Sequence, residues 1–396
     1  MKNNRTFLEK LLDGAEVKWI PLGDVADYEQ PTKYLVNSTV YNDNYPIPVL
    51  TAGKTFILGY TNEDEGIYFA SKSPVIIFDD FTTANKWVDF DFKAKSSAMK
   101  MITSKNEKFA LLKYIYYWLN TLPNNQIDGD HKRQWISNYA NKLIPIPPLS
   151  VQTEIVRILD ALTALTSELT SELTLRRKQY EYYLDNLLSK EELGKIGFEW
   201  KCLKDICDYV DFRGKTPKKT ESGIFLVTAK NIKKGFIDYN ASKEFVSESD
   251  YIEIMRRGLP RIGDVLITTE APCGNVAQID KEDIALAQRV IKYRSSNENI
   301  LDNTFLKFML LSKEFQVNLI KLSTGGTVKG IKGSTLHKMK IKIPPIDEQK
   351  RIVSILEKFE ILTNSITEGL PLAIEQSQKR YEYYRELLLS FNGSNQ

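Results

Sequence analysis

Apolar residues recur at a 4/3 spacing at Ile155, Ile158, Leu162, Leu165 and Leu169. Ile352, Ile355, Phe359, Leu362 and Ile366 repeat that spacing near the other end of the chain. A narrow apolar seam of this period predicts two helices that pair in the manner of a coiled coil. Tandem prolines, Pro147–Pro148 and Pro344–Pro345, hold the chain extended before each seam. Ser150 and Asp347 follow at the same position of each copy. They are predicted N-caps, whose side chains accept unpaired backbone N–H groups. Each helix is predicted to run about 40 residues, or about 60 Å. Elsewhere the pattern changes. "PVIIFDDF", "IFLVTAK" and "GDVLITTE" are short apolar runs bounded by Gly, Pro and Asp, and they read as strands. "KFALLKYIYYWLNT" and "TFLKFMLLSKEFQVNLI" read as amphipathic helices late in each half.

The two halves are copies at their edges. "SNYANKLIPIPPLSVQTEIVRIL" (137–159) aligns with "STLHKMKIKIPPIDEQKRIVSIL" (334–356) at an offset of 197. "WIPLGDVADY" (19–28) echoes "WKCLKDICDY" (200–209) at an offset of 181. "RKQYEYYLDNLLS" (177–189) returns as "QKRYEYYRELLLS" (378–390). Between these anchors no alignment holds, so each copy is a variable middle in a common frame. Gln152 to Tyr180 spans 28 residues and Gln349 to Tyr381 spans 32, a difference of four, the increment of a heptad stutter. The first helix contains the tandem tetrapeptide "TSELTSEL" (166–173). Pro371, after Gly369, predicts a kink or break in the second helix.

Length and charge narrow the reading. At 396 residues the chain exceeds one ordinary core. No apolar run approaches the roughly 18 residues of a membrane span. Cys202, Cys207 and Cys273 form no CxxC pair, and with only two histidines they predict reduced thiols and no zinc site. Net charge is +3, unevenly placed: residues 1–150 balance 17 basic against 17 acidic, whereas residues 197–346 hold 25 against 18. Catalytic motifs are incomplete. "AGKT" and "RGKT" lack the upstream glycine of a phosphate-binding loop. Neither "PIPPL" nor "KIPPI" has the acceptor side chain of an amino-methyltransferase motif. Asp79, Asp80, Asp91 and Lys93 loosely fit a metal-dependent nuclease, though surface charges beside a strand explain them better.

Basic residues interleaved with Gly, Asn, Gln and aromatics are the stronger signal. Glycines let backbone approach phosphates, lysines release counterions, and Arg, Asn and Gln read base edges. The candidate DNA contacts are Lys54, Lys86, Trp87, Lys132, Arg133 and Gln134 in the first half. In the second they are Arg213, Lys215, Lys218, Lys219, Lys230, Asn231, Lys233, Thr327, Lys329 and Lys332.

On "IPIPPLSVQTEIVRIL", "KIPPIDEQKRIVSIL", the two "YEYY…LL" tails and "LSTGGTVKGI", the chain resembles the specificity (S) subunit of type I restriction–modification systems. The resemblance implies a mixed α+β or α/β protein with an internal pseudo-two-fold repeat. Two target-recognition domains (1–149 and 191–346) are expected, separated by antiparallel spacer helices (150–190 and 347–391). It implies a non-catalytic, cytoplasmic subunit that reads a bipartite double-stranded DNA site and directs adenine methylation and restriction. Expected partners are two modification subunits and restriction/translocation subunits, which would use S-adenosylmethionine, and ATP with Mg²⁺. The chain itself is expected to hold no cofactor or metal. The other readings are a stand-alone nuclease and a coiled-coil scaffold without DNA binding.

Overall fold

In a computed structural model, residues 6–53, 55–123, 133–212, 218–365 and 367–391 are described, and the chain divides into two compact units. Unit 1 is Met1–Thr170 with Ala373–Gln396, and unit 2 is Ser171–Leu372.

Unit 1 contains β1 (Lys18–Pro21), β2 (Ala26–Glu29), β3 (Ile47–Leu50), β4 (Ile57–Thr61), β5 (Val75–Asp79), β6 (Asn85–Val88), β7 (Lys93–Ala94), β8 (Met99–Ser104) and β9 (Leu143–Ile146). Its helices include α1 (Leu112–Leu119), the short α2 (Gln134–Ser137) and the first part of α3 (Leu149–Leu187). An antiparallel sheet has the order β2-β8-β5-β6, and a smaller one has the order β4-β3-β7, with β3 and β7 parallel. The frame strands β1 and β9 pair with each other.

Unit 2 contains β10 (Glu199–Cys202), β11 (Cys207–Asp211), β12 (Lys219–Thr220), β13 (Ile224–Val227), β14 (Phe245–Val246), β15 (Val265–Thr269), β16 (Cys273–Gln278), β17 (Ile284–Leu286), β18 (Val290–Ser295) and β19 (Lys340–Ile343). Its helices include α4 (Asn303–Leu311), the short α5 (Gly333–Leu336), α6 (Ile346–Asn364) and the start of α7 (Gly369–Leu389). The strand order β11-β18-β15-β16 repeats that of unit 1, and β13 pairs in parallel with β17 as β3 does with β7. The duplication therefore runs through the middles, where sequence alignment fails.

The reason those middles read poorly is burial on both faces. Ile76 and Phe78 of β5 point into a core with α1, while Val75 and Ile77 join a second core with Leu50, Phe92 and Met101. Likewise Val265 and Ile267 of β15 face one core and Leu266 another. A doubly buried strand is a continuous apolar run with no alternation to align.

The Pro-Pro-x-x-x-Gln phrase has a specific physical cause. The Gln152 amide is fully buried; it accepts from the Leu111 N–H (2.9 Å) and donates to the Phe109 and Pro147 carbonyls (both 2.9 Å). Gln349 repeats the knot, accepting from Asp302 N–H (2.9 Å) and donating to the Ile300 and Pro344 carbonyls (both 2.8 Å). Each glutamine ties the root of a long helix to the loop before α1 or α4.

Two expectations are corrected here. The helices start earlier than predicted. Pro345 is the cap residue of α6 and Asp347 lies inside its first turn, while Ser150 lies within α3. The extended proline supplies the turn, because the Gln349 N–H donates to the Pro345 carbonyl at 3.1 Å. The apolar seam is also not uniform. Ile155 and Ile352 are buried, and Ile158, Leu162, Leu169, Ile355, Phe359 and Leu362 are half-buried, but Leu165 is exposed. Ile366 lies outside the described residues. The deeply buried helix positions are instead Val151, Ile155 and Leu159 with Leu388 and Leu389 in unit 1, and Leu184 and Leu188 with Ile352 and Leu356 in unit 2. In each unit one helix root packs beside the other helix's tail, so the segments run antiparallel.

Between these ends polar contacts replace the seam. The Thr166 and Ser377 hydroxyls meet at 2.8 Å in unit 1. In unit 2 the Tyr180 hydroxyl donates to Glu360 (3.2 Å), which also takes Lys307 (2.6 Å). The "YEYY" tail places its first and last tyrosines inward, with Tyr183 stacked on Phe359 at 5.4 Å, while Tyr182 and Tyr383 stay exposed. The second helix breaks between Asn364 and Gly369, upstream of Pro371. Gly369 has φ 77° there, and a Cβ would lie 2.5 Å from the Ile361 carbonyl oxygen, so only glycine fits. No helix among the described residues is long and apolar enough to cross a membrane.

Candidate nucleic-acid interface

One edge of each module gathers three loops around a single residue. In unit 2 that residue is Thr269, at the end of β15. Its N–H donates to the Arg289 carbonyl (2.8 Å), and its carbonyl accepts from the Ile331 N–H (2.9 Å). It thus joins the β15–β16 turn, the residue before β18 and the "STGGTVKGI" loop. That loop closes on itself through paired Thr324 and Gly330 backbone bonds of 2.8 Å. Gly325 has φ 111°, and a Cβ would lie 2.2 Å from the Val328 carbonyl oxygen. The glycine therefore allows a tight turn that leaves Thr327, Val328 and Lys329 exposed.

Unit 1 repeats the arrangement. Strand register makes Asp80 the counterpart of Thr269, since Asp79 faces Met99 as Thr268 faces Val290. The Asp80 N–H points at the Ala98 carbonyl (3.5 Å), and its carbonyl accepts from the Gln134 N–H (2.9 Å). Gln134 and Ile331 are separated by 197, the offset of the helix anchors. The signal is present in the sequence, three residues upstream of the 137–159 anchor.

Several predicted contacts fall on this edge or near it. Thr327, Lys329 and Lys332 are exposed on the glycine loop and at its exit into α5, and Arg133 is exposed beside the unit 1 counterpart. The segment bearing Lys230 and Lys233 lies along β16, where the Gly235 N–H donates to the Val276 carbonyl (2.8 Å), three residues beyond Cys273. Lys230 is exposed and Lys233 half-buried. Lys219 lies on β12, at the edge of the second four-stranded sheet of unit 2 (order β12-β14-β13-β17), with Lys218 just before it, and Lys219 is paired with Glu244 at 2.9 Å. Lys86 is exposed on β6 with its Nζ 5.2 Å from the Phe56 ring. Lys54, Lys132, Arg213 and Lys215 lie outside the described residues.

Two assignments, Asn231 and Gln134, are corrected. Asn231 is fully buried and uses its whole amide: it accepts from the Thr228 N–H (3.0 Å) and hydroxyl (2.8 Å) and donates to the Asp238 (2.9 Å) and Ser242 (2.8 Å) carbonyls. It closes a loop and has nothing left for a base. Gln134 is buried, with its side-chain oxygen accepting from Asn138 (3.2 Å). Trp87 is half-buried in the wall of a cleft of about 510 Å³ that it shares with Lys113 and Val156, and Lys113 Nζ lies 4.0 Å from its ring.

The nuclease reading also fails on geometry. Asp79 accepts from the Phe81 (2.9 Å) and Thr82 (3.2 Å) N–H groups, shaping a turn. Asp80 accepts from the Trp135 N–H (2.9 Å) and faces buried Lys100 (3.6 Å). Asp91 holds Ser71, and Lys93 is paired with Glu63 at 2.8 Å. The four side chains serve four separate structural contacts. Among the described residues no group of three or more His, Cys, Asp or Glu could hold a metal.

The model of the type I restriction modification DNA specificity domain matches residues 15–175 and 195–376. The chain is 51% identical to the EcoR124I/EcoR124II type I restriction enzyme specificity subunit of Escherichia coli, covering 98% of this chain and 97% of that protein. It is 38% identical to a putative type I restriction enzyme specificity subunit of Haemophilus influenzae, over 99% and 100% of the two chains. The crystal structure of the S subunit of a type I restriction–modification system from M. genitalium superposes with a TM-score of 0.58 at 15% identity, covering 97% and 98%. A chain from structures of type I system assembly and conformational transition gives 0.52 at 19% identity, covering 95% and 98%. Two matched domains on one duplicated scaffold, with close relatives spanning the full length, place this chain in the type I restriction–modification DNA specificity family.

Proposed function

We propose that the chain is the DNA sequence-recognition subunit of a type I restriction–modification complex. Each module reads one half of a bipartite double-stranded site, and partner subunits methylate adenine and restrict DNA where the two halves are bound. The observation that carries this reading is the repeated three-loop edge: one backbone arrangement presented twice, with different side chains. A scaffold without DNA binding gives no role to such an edge. In this reading catalysis belongs to two modification subunits using S-adenosylmethionine and to restriction subunits using ATP with Mg²⁺. The chain itself contributes binding and placement in the cytoplasm.

Methylation mapping tests the proposal. Modification subunits expressed with this chain should methylate adenines within one split motif, and without it that motif should be unmethylated. Methylation that is unchanged on omitting the chain overturns the reading. So does Mg²⁺-dependent DNA cleavage by the purified chain that is lost in Asp80→Ala.

A further inference from the structure

On the unit 2 edge an acidic and a basic side chain are held together where neither was expected. Glu270 follows Thr269 directly, and its Oε2 lies 3.2 Å from Arg289 Nε. Both side chains are about half exposed. Their backbones are fixed independently of the ion pair. Arg289 is held by the Thr269 N–H to its carbonyl (2.8 Å), and Glu270 bridges to Gly330 of the glycine loop. Arg289 has φ 68° and Ala271 φ 48°, left-handed conformations that non-glycine residues adopt only under constraint. Such outliers cluster where geometry serves recognition.

A carboxylate is out of place on an edge that also carries Lys329 and Lys332, if that edge meets only phosphates. Phosphates repel it, whereas a base N–H donor attracts it. We propose that Glu270 and Arg289 together read a single C·G base pair in the half-site bound by unit 2. This rests on the DNA-recognition function proposed above. Glu270 can only accept, so it needs an exocyclic amine, and cytosine N4 supplies one. Arg289 only donates, through a fork that matches the two adjacent acceptors O6 and N7 of guanine. A C·G pair presents both sets on one rung. An A·T pair offers the amine but, on thymine, one acceptor beside a methyl group. The counterparts in unit 1 are Phe81 and Ala98, which have no such groups, so the device belongs to one half-site.

The chain assembled with its modification subunits is the material for the test. Wild-type complex is bound to duplexes carrying each of the four base pairs at every position of the unit 2 half-site. One position should prefer C·G by about tenfold or more. E270Q and R289A should each reduce that preference to within about threefold, at the same position, with the other half-site unchanged. Where R289A fails to assemble, R289K keeps the charge but not the fork, and should lose the preference while retaining affinity for non-cognate DNA. Uniform weakening with base preference intact would make the pair a phosphate contact and overturn the proposal. Relaxation at two different positions, or at an A·T pair, overturns it as well. Methylation of no split motif by the wild-type complex would instead defeat the underlying function.

Discussion

Asp80 and Thr269 occupy the same place in two modules, yet their side chains do different things. Asp80 turns its carboxylate inward to the Trp135 N–H and buried Lys100, which also lies 4.8 Å from the Tyr28 ring. In unit 2 the buried charge lies elsewhere: Asp264 takes Arg294 at 2.5 Å and Lys292 at 3.5 Å. The backbone bonds from the hub, to Ala98 and Gln134 or to Arg289 and Ile331, are common to both. Shape at this edge is thus built from backbone hydrogen bonds, and charge from whichever side chains surround them. A protein made this way can change what one half reads without disturbing the other.

The comparison is broken most strongly where the modules are most alike. Gln152→Ala should leave the Leu111 N–H and the Phe109 and Pro147 carbonyls without partners, and Gln349→Ala should do the same to Asp302, Ile300 and Pro344. At about 1–3 kcal/mol for each buried unsatisfied group, after partial relaxation, each substitution should cost about 3–5 kcal/mol. Hydrogen exchange locates the damage. Gln152→Ala should lose protection in unit 1 and Gln349→Ala in unit 2. Equal loosening of both units by either variant would mean that the knots do not belong to separate cores.

The helix contacts sharpen the comparison through charge. Lys307 is 5% exposed and its ammonium is matched by Glu360. Glu360→Ala leaves a buried cation and should destabilise unit 2 by about 3 kcal/mol. Thr166→Val in unit 1 leaves only the Ser377 hydroxyl unpaired, at about 1 kcal/mol. Adding Ser377→Ala removes the orphan and should recover most of that loss, as urea unfolding of the three variants will measure. A Thr166→Val cost equal to that of Glu360→Ala would show that burial of charge is not what separates the two contacts.

The frame was legible from sequence because its chemistry is repeated. The prolines, the glutamines and the "YEYY" tails each perform one task twice, at fixed spacing. The seam was only half legible. Its spacing correctly marked helices, but Leu165 and Ile155 look identical in a periodic pattern, and one is exposed while the other is buried against a module. The three-loop edge was least legible, because Asp80 and Thr269 share no side-chain property and act through backbone groups that every residue has. Asn231 failed for the opposite reason. It has the right side chain for base reading but sits in a loop that consumes all of its hydrogen bonds.

The smallest effect concerns charge alone. Unit 2 holds the basic excess, so it should supply the larger electrostatic share of DNA affinity. Not every lysine in it is equivalent. Lys219 lies 2.9 Å from Glu244, so its cationic field is partly cancelled before any phosphate approaches. Lys329 stands exposed on the glycine loop, one residue from Gly330 and its bridge to Glu270. A lysine that meets a phosphate changes the slope of log affinity against log salt by about 0.9. Lys329→Ala should therefore lower the slope by about that amount on non-cognate duplex, and weaken binding to every sequence alike. Lys219→Ala should change it by clearly less, since removing it also exposes the Glu244 carboxylate to solvent rather than to DNA. Titrations at four salt concentrations separate the two. If Lys219→Ala gave the larger change, phosphates would lie over the β12-β14-β13-β17 sheet, and the three-loop edge would not be the face that meets the duplex.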